Sequence, residues 1–219
     1  MGGRWSHHRL STEMSAMDKI ICLGKNFAEH AKELNEALPE RPVIFIKPPS
    51  VLKYIETKAL VLLQEVDSEI HPECELVLEL KSGGYRLSPE RAAECIGGWT
   101  IGLDLTLRKI QSELKSNGHP WTISKVFPDS AIVGKRVGGI PPQIDFEFCV
   151  NGQLRQRGDS SQMLLNPIQG IVYISQYFSL NEGDLIFMGT PKGVGPVFPG
   201  DRSKIFSGKG VGYEIEWTR

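Results

Sequence analysis

Apolar and polar residues alternate over residues 73–81 of the 219-residue chain, with the period of two that is typical of a half-buried β-strand. Short apolar runs predict further strands at 19–23, 43–46, 95–103, 143–150, 153–157, 185–188 and 211–217. Asn151-Gly152 lies between two of these runs and is the dipeptide most typical of a tight β-hairpin. The pattern therefore predicts a chain dominated by strands.

Helical signals are fewer and are scattered along the chain. Capping residues and apolar spacing predict helices at 26–38, 89–94, 105–116 and 162–178. Few helices among many strands indicate an α+β fold rather than a doubly wound parallel sheet. Because no linker or repeat interrupts the pattern, we expect a polar N-terminal extension over 1–18 and a single catalytic domain over 19–219.

Charge and cysteine usage narrow the possible partners and the compartment. The formal net charge of −1 gives no field that would attract nucleic acid, and no apolar run is long enough for a membrane helix. Four widely spaced cysteines without a C-x-x-C pair fit neither a zinc ribbon nor a disulfide scaffold. We therefore expect a cytoplasmic protein with reduced thiols and no nucleic-acid or membrane partner. Arg4 and Arg9 leave a mitochondrial matrix address open.

Two glutamates on the 73–81 strand suggest a metal site. Glu73 and Glu75 share one face of the strand, because Cys74 and the leucines that follow it occupy the other. Neighbouring carboxylates repel each other, and a hard cation such as Mg²⁺ or Mn²⁺ relieves that repulsion. A solvated strand face is the alternative explanation for the same pattern.

A third carboxylate, Asp104, ends the predicted strand over 95–103 and precedes the predicted helix over 105–116. Arg108 and Gln111 follow it at i+4 and i+7, which predicts that all three lie on one side of that helix. One interpretation is a simple Asp–Arg helix pair. The other is that Arg108 and Gln111 are substrate-binding groups beside a metal.

Three further segments contain residues suited to catalysis. His30 and Glu33 share a helical face at i, i+3, as a carboxylate-oriented general base would require, although a charged exposed helix is the more common explanation for such a pair taken alone. Lys125 lies in an apolar run, where it either reaches solvent or serves an anion. Gly189 and Thr190 begin a glycine-rich turn whose N–H groups would cradle a carboxylate, unless it is an ordinary tight turn.

Six segments in this order resemble the fumarylacetoacetate hydrolase family, most closely its acylpyruvase and oxaloacetate decarboxylase-like branch. The resemblance runs from Lys19 to the last strand and rests on Gly-Lys-Asn-Phe-Ala-Glu-His, Pro-Val-Ile-Phe-Ile-Lys-Pro, Glu-Cys-Glu, Gly-Leu-Asp-Leu-Thr-Leu-Arg, Pro-Trp-Thr-Ile-Ser-Lys and Gly-Thr-Pro-Lys-Gly-Val-Gly. It implies a mixed β-roll or sandwich with a few peripheral helices, assembled as a homodimer.

The resemblance also implies roles for individual residues. The family's ligands for one Mg²⁺ or Mn²⁺ match Glu73, Glu75 and Asp104. Its active-site lysine matches Lys125, and its carboxylate-binding loop matches Thr190 with the neighbouring amides. Its water-activating pair matches His30 and Glu33, on a helix that acts as a lid.

The implied activity is metal-dependent hydrolysis of a carbon–carbon bond in a β-diketo acid such as an acylpyruvate. The leaving group would be a pyruvate enolate that the metal and Lys125 stabilise, and the same enolate would form by decarboxylation of oxaloacetate. The partner is then a small 2-oxo acid. An isomerase or hydratase of unsaturated 2-oxo acids and a catalytically silent metal-binding scaffold are the alternatives. The segment Phe127-Pro-Asp129 departs from the family pattern and leaves the substrate open.

Overall fold

The computed structural model describes residues 17–27, 42–63, 67–208, 210 and 212–219, and these residues form two β-sheets with a few short helices. The strands are β1 Ile20–Gly24, β2 Val43–Lys47, β3 Leu52–Tyr54, β4 Lys58–Leu62, β5 Ile70–Leu80, β6 Ile96–Leu107, β7 Ala131–Val133, β8 Val137–Gly138, β9 Asp145–Val150, β10 Gln153–Asp159, β11 Leu185–Phe187, β12 Arg202–Ser207 and β13 Gly212–Thr218. The α-helices are α1 Pro89–Cys95, α2 Arg108–Ser116, α3 Thr122–Lys125 and α4 Pro167–Ser175.

The larger sheet has eight strands, in the order β2-β1-β11-β5-β6-β7-β3 with β8 beside β6. Strands β5 and β6 form its centre and pair antiparallel from Ile70 opposite Leu107 to Leu80 opposite Ile96. The smaller sheet has five strands in the order β10-β9-β12-β13-β4. Parallel and antiparallel pairs occur in both sheets, so the predicted α+β class with mixed sheets is confirmed.

The main hydrophobic core includes residues from both sheets. Leu76 and Leu78 of β5 are fully buried in it, together with Phe148 of β9 and Trp217 of β13. Burial of each such side chain contributes ~1.5–3 kcal/mol, so this face of β5 is firmly anchored. The odd-numbered residues of β5 therefore point away from this core, and the functional site is on that face.

Local signals placed several elements correctly. Asn151 and Gly152 have φ angles of 50° and 78°, the left-handed pair that a two-residue hairpin between β9 and β10 requires. The side chain of Ser88 caps α1 by accepting a hydrogen bond from the Arg91 N–H, as the sequence predicts. Both features depend only on neighbouring residues.

The predicted boundary between the strand at 95–103 and the helix at 105–116 is wrong. Strand β6 continues to Leu107, and α2 begins at Arg108. Pairing with β5 keeps Asp104, Leu105 and Thr106 extended, which outweighs their local helical spacing. Asp104 is therefore a strand residue. The predicted helix at 162–178 begins only at Pro167, where Asn166 and Gln169 form a capping box.

Some predictions concern residues that lie outside the described ranges. Most of the helix predicted over 26–38 falls within residues 28–41, which lie outside the described ranges. Residues 1–16 of the predicted extension also lie outside them. The division into an extension and one domain stays a prediction. None of the helices in the described ranges has the length and apolar character needed to cross a membrane.

Candidate functional site

Three buried carboxylates meet on the outer face of the large sheet. Asp104 on β6 lies directly opposite Glu73 on β5, and Glu75 follows two residues along the same strand. One oxygen from each side chain lies within 4.8 Å of the others. All three side chains are buried, so the alternative of a solvated strand face does not hold. Three buried carboxylates at this separation require compensating positive charge.

Lys125, at the end of α3, supplies part of that charge. Its Nζ lies 2.8 Å from Glu73 Oε2, 2.7 Å from Asp104 Oδ2 and 2.6 Å from Thr106 Oγ1, which uses all three of its donors. The side chain is 2% exposed and does not reach solvent. Burial by itself lowers the pKa of Lys125, but the Asp104 and Glu73 carboxylates outweigh burial and raise that pKa above its ordinary value.

Lys47 is a second buried cation, and the sequence analysis assigned it no role. It ends β2, is fully buried, and places Nζ 2.6 Å from Asp104 Oδ1. The same ammonium donates to the carbonyl oxygens of Leu105 and Ser130, at 3.2 and 2.6 Å. The sequence feature that could have indicated Lys47 is its position as the last residue of an apolar strand, directly before two prolines. Burial lowers the pKa of Lys47, and Asp104 opposes that effect.

Glu75 differs from the other two carboxylates because none of the described residues forms an ion pair with it. Its Oε2 accepts a hydrogen bond of 2.7 Å from the Gly189 N–H. Burial raises the pKa of Glu75 well above its ordinary value, and the nearby Asp104 and Glu73 charges add to the increase. The three nearby cations, Lys47, Lys125 and Arg108, pair with Glu73 or Asp104, so among the described residues Glu75 is held by a hydrogen bond and not by an ion pair.

This donor set fits a hard divalent cation. Oxygen ligands from carboxylates suit Mg²⁺ and Mn²⁺, and neither thiolate nor imidazole belongs to this cluster within the described ranges. Asp104 Oδ1 faces the Lys47 ammonium but accepts no hydrogen bond of normal geometry from the described residues. Its lone pairs and the Glu75 carboxylate are the features that a cation would satisfy.

Arg108 and Gln111 do reach the cluster, but by a different route from the one predicted. Arg108 begins α2 and pairs with Glu73, and its Nη1 donates to Gln111 Oε1 over 2.7 Å. The predicted Asp104–Arg108 helix pair is wrong, because Asp104 lies in β6 and its two oxygens face Lys47 and Lys125. Both residues line the same small cavity as the carboxylates.

The cavity beside the carboxylates is small and partly aromatic. Its volume is about 40 Å³, not much more than the ~30 Å³ that one molecule of liquid water occupies. Phe45 and Trp121 line it with ring centroids 6.0 Å apart, and Lys125 Nζ lies 4.9 Å from the Phe45 centroid.

The loop after β11 brings Gly189 and Thr190 to the cluster. Gly189 has a φ angle of 92°, and a Cβ there would lie 2.9 Å from both Asn26 Cβ and Leu23 O. Asn26 is buried and donates to Met188 O over 2.8 Å. Only glycine satisfies both the left-handed φ angle and the close approach.

Gly189→Ala is therefore expected to destabilise the protein by roughly 1–3 kcal/mol, the usual cost of a strained backbone position. The added methyl group would also move the N–H away from Glu75. Urea unfolding measures the loss, with Gly152→Ala at the exposed hairpin turn as a comparison in which only the φ angle is unfavourable. An unchanged unfolding midpoint for Gly189→Ala would show that the loop tolerates a side chain.

His30 and Glu33, the predicted water-activating pair, lie outside the described residues. Their position relative to the cluster therefore stays a prediction. The remaining predicted site residues come together within one cavity. These are Glu73, Glu75, Asp104, Arg108, Gln111, Lys125 and Thr190, with Gly189 bonded to Glu75.

Comparison with known proteins agrees with this fold. A family model described as fumarylacetoacetate (FAA) hydrolase C-terminal matches residues 19–216. The chain therefore belongs to the fumarylacetoacetate hydrolase family, and the predicted family membership is confirmed.

Two relatives and one solved structure illustrate the similarity. The chain is 37% identical over 188 residues to the mitochondrial oxaloacetate tautomerase FAHD1 of Arabidopsis thaliana, covering 84% of this chain and 83% of that protein. It is 34% identical over 190 residues to oxaloacetate tautomerase YcgM of Escherichia coli, covering 84% and 86%. Fumarylpyruvate hydrolase from Pseudomonas aeruginosa, in complex with Mn²⁺ and pyruvate, matches with a TM-score of 0.88 at 29% identity, covering 97% and 99%.

Proposed function

We propose that this protein is an enzyme that binds one divalent cation, Mg²⁺ or Mn²⁺, at Glu73, Glu75 and Asp104 and acts on a small 2-oxo acid through its enolate. The observation that carries the proposal is that Glu75 has no ion pair among the described residues, although it lies beside two carboxylates that are already ion-paired. A protein that needed no cation at this position would gain stability by replacing such a carboxylate with a neutral residue. The similarity to a fumarylpyruvate hydrolase structure that contains Mn²⁺ and pyruvate supports the same assignment.

The residues around the carboxylates would hold the negative charge that develops on a substrate. A bound divalent cation would act as a Lewis acid toward substrate oxygens. Lys125 would have to release one of its three hydrogen bonds to contact a substrate oxygen. Its bond to the uncharged Thr106 is the least costly to release, because the other two acceptors are carboxylates. Arg108 lines the cavity and would orient a substrate carboxylate.

Hydrolysis of an acylpyruvate-like β-diketo acid is the first reaction that this site would support. Water attacks the acyl carbonyl, the carbon–carbon bond breaks, and the pyruvate part leaves as an enolate that then takes up a proton. The attack requires a general base, for which His30 oriented by Glu33 is our candidate. The similarity to fumarylpyruvate hydrolase favours this reaction.

Tautomerisation of oxaloacetate is the second candidate, and the similarity to two oxaloacetate tautomerases favours it. It interconverts the keto and enol forms by moving a proton between carbon and oxygen, and it breaks no carbon–carbon bond. Decarboxylation of oxaloacetate passes through a related enolate and also needs no attacking water. All three reactions need the same stabilised charge, and only hydrolysis needs an activated water.

The His30→Ala variant separates these possibilities. We expect it to reduce acylpyruvate hydrolysis by about 10²–10⁴-fold, the usual effect of losing a general base. The rate of oxaloacetate decarboxylation should fall much less than the rate of hydrolysis, because decarboxylation needs no activated water. Both rates would be measured with Mg²⁺ on one preparation, with the exposed His119→Ala as the matched control.

Two outcomes would contradict parts of this proposal. An equal loss of hydrolysis and decarboxylation, with cation binding intact, would mean that His30 binds substrate and does not activate water. A wild-type protein that equilibrates oxaloacetate enol rapidly but hydrolyses no acylpyruvate would assign the tautomerase reaction instead. That enol-to-keto conversion is followed directly by ultraviolet absorbance.

A further inference from the structure

Within the described residues, no strand pairs with the edge of β5 beside the metal-ligand candidates. Strand β11 pairs with β5 only at Val77 to Glu79. The last backbone hydrogen bond of this pairing runs from the Met188 N–H to Leu76 O, and beyond it the chain turns away from β5. The next backbone groups on that edge belong to Cys74, which lies between Glu73 and Glu75. Unpaired buried backbone groups are costly, so Cys74 needs partners from outside the sheet.

Two side chains supply those partners. Gln156 on β10 is buried, and its Oε1 accepts a hydrogen bond of 3.0 Å from the Cys74 N–H. Thr190 donates its hydroxyl proton to Cys74 O over 2.9 Å. Gln156 Nε2 closes the ring by donating to Thr190 Oγ1 over 2.7 Å, and it also donates to Pro191 O over 2.9 Å. We call this ring of Cys74, Gln156 and Thr190 the Gln156 clasp.

The partners fix the direction of every bond in the clasp. A backbone N–H can only donate and a carbonyl oxygen can only accept, so the Gln156 amide has one possible orientation. Thr190 Oγ1 must then accept from Gln156, and its single proton must go to Cys74. The Thr190 hydroxyl therefore has no proton left for a substrate carboxylate. Because the Gly189 N–H is bonded to Glu75 and Pro191 has no N–H, the Thr190 N–H is the donor of residues 189–191 that would recognise such a group.

We propose that Gln156 is a positioning residue that fixes the 189–191 loop against the strand carrying Glu73 and Glu75. The clasp holds Thr190 at Cys74, and the adjacent Gly189 N–H then meets Glu75 Oε2 at 2.7 Å. Gln156 thus sets the orientation of the carboxylate that lacks an ion pair, although it lines no part of the cavity itself. This inference rests on the proposed cation site. Partners that orient metal ligands change metal affinity about 10–100-fold when they are removed.

The test compares Gln156→Met with two matched controls by titration calorimetry with Mn²⁺. Methionine fills a similar volume but can neither accept from Cys74 nor donate to Thr190. We expect its Mn²⁺ affinity to fall about 10–100-fold. Gln153→Met makes the same change at an exposed position of β10, and Ile215→Ala damages the core of the same sheet without removing a hydrogen bond of the clasp. Both controls should bind Mn²⁺ as the wild type does.

Three further variants test the ring itself. Thr190→Val should weaken Mn²⁺ binding as Gln156→Met does, and the double variant should be little worse than either, because each change already opens the same ring. Thr190→Ser keeps the hydroxyl and should retain the wild-type affinity. Fully additive losses in the double variant would overturn the proposal of a shared clasp.

Hydrogen exchange of the Cys74 amide makes the proposal testable without metal. The amide should exchange much faster in metal-free Gln156→Met than in metal-free wild type or Gln153→Met. Unchanged exchange would overturn the clasp. Unchanged Mn²⁺ affinity in Gln156→Met, or an equal loss in Ile215→Ala, would overturn the positioning role. If the wild type binds no Mn²⁺, the proposed function fails, and the exchange experiment still decides whether the clasp exists.

Discussion

Replacing Glu75 by glutamine is expected to abolish Mg²⁺ and Mn²⁺ binding, and with it all turnover of 2-oxo acids. Glu75 is the carboxylate whose charge no described residue pairs, so its loss removes the main attraction for a cation. The affinity should fall by more than the ~100-fold reached when an outer partner of a ligand is lost. Titration calorimetry measures the change, and an unchanged dissociation constant would refute the ligand assignment.

The same variant should make the metal-free protein more stable. Glutamine keeps an acceptor for the Gly189 N–H but carries no charge, so the cost of burying an unpaired carboxylate disappears. Because burial raises the pKa of Glu75 above its ordinary value of 4.5, wild-type stability falls as the pH rises from about that value toward the raised pKa. The difference in melting temperature, measured in chelator, should therefore widen from pH 5 toward higher pH. A constant difference would show that Glu75 does not titrate in this way.

Lys125→Met is expected to destabilise the metal-free protein by about 3–5 kcal/mol, the usual cost of removing one partner from a buried ion pair. Glu73 and Asp104 would each lose a hydrogen-bonded counter-charge at 2.8 and 2.7 Å. Lys53→Met is the matched control, because Lys53 forms a comparable pair with Asp129 in a more exposed place. There the loss should stay within roughly 1 kcal/mol. Urea unfolding of both variants in chelator gives the two values.

Added Mg²⁺ should restore part of the stability of Lys125→Met, because a cation that binds only the folded state stabilises it. Turnover of acylpyruvates and of oxaloacetate should stay low, since Lys125 holds charge in every reaction that passes through an enolate. A stability loss no larger than that of Lys53→Met would show that Lys125 does not compensate the carboxylates. Recovery of full activity with Mg²⁺ would contradict its catalytic role.

The sequence by itself determined the features that depend on neighbouring residues. Alternation in β5 placed Glu73 and Glu75 on the face opposite the leucines, because side chains of a strand point to opposite sides in turn. The Asn151-Gly152 hairpin and the Ser88 cap follow from local backbone geometry in the same way. Ordered motifs also indicated the family, which the match over residues 19–216 confirms.

Only the tertiary structure decided which positively charged side chains lie beside the three carboxylates. Pairing between β5 and β6 keeps Asp104 in a strand, opposite Glu73. The helical spacing in the sequence had instead predicted that Asp104 lies beside Arg108. Lys47 and Gln156 reach the site from distant segments, and no local pattern links either of them to Glu73 or Asp104. The physical reason is that strand register and the burial of charge depend on contacts between distant parts of the chain. A sequence pattern shows which residues share a face, but only the folded sheets show which charges meet there.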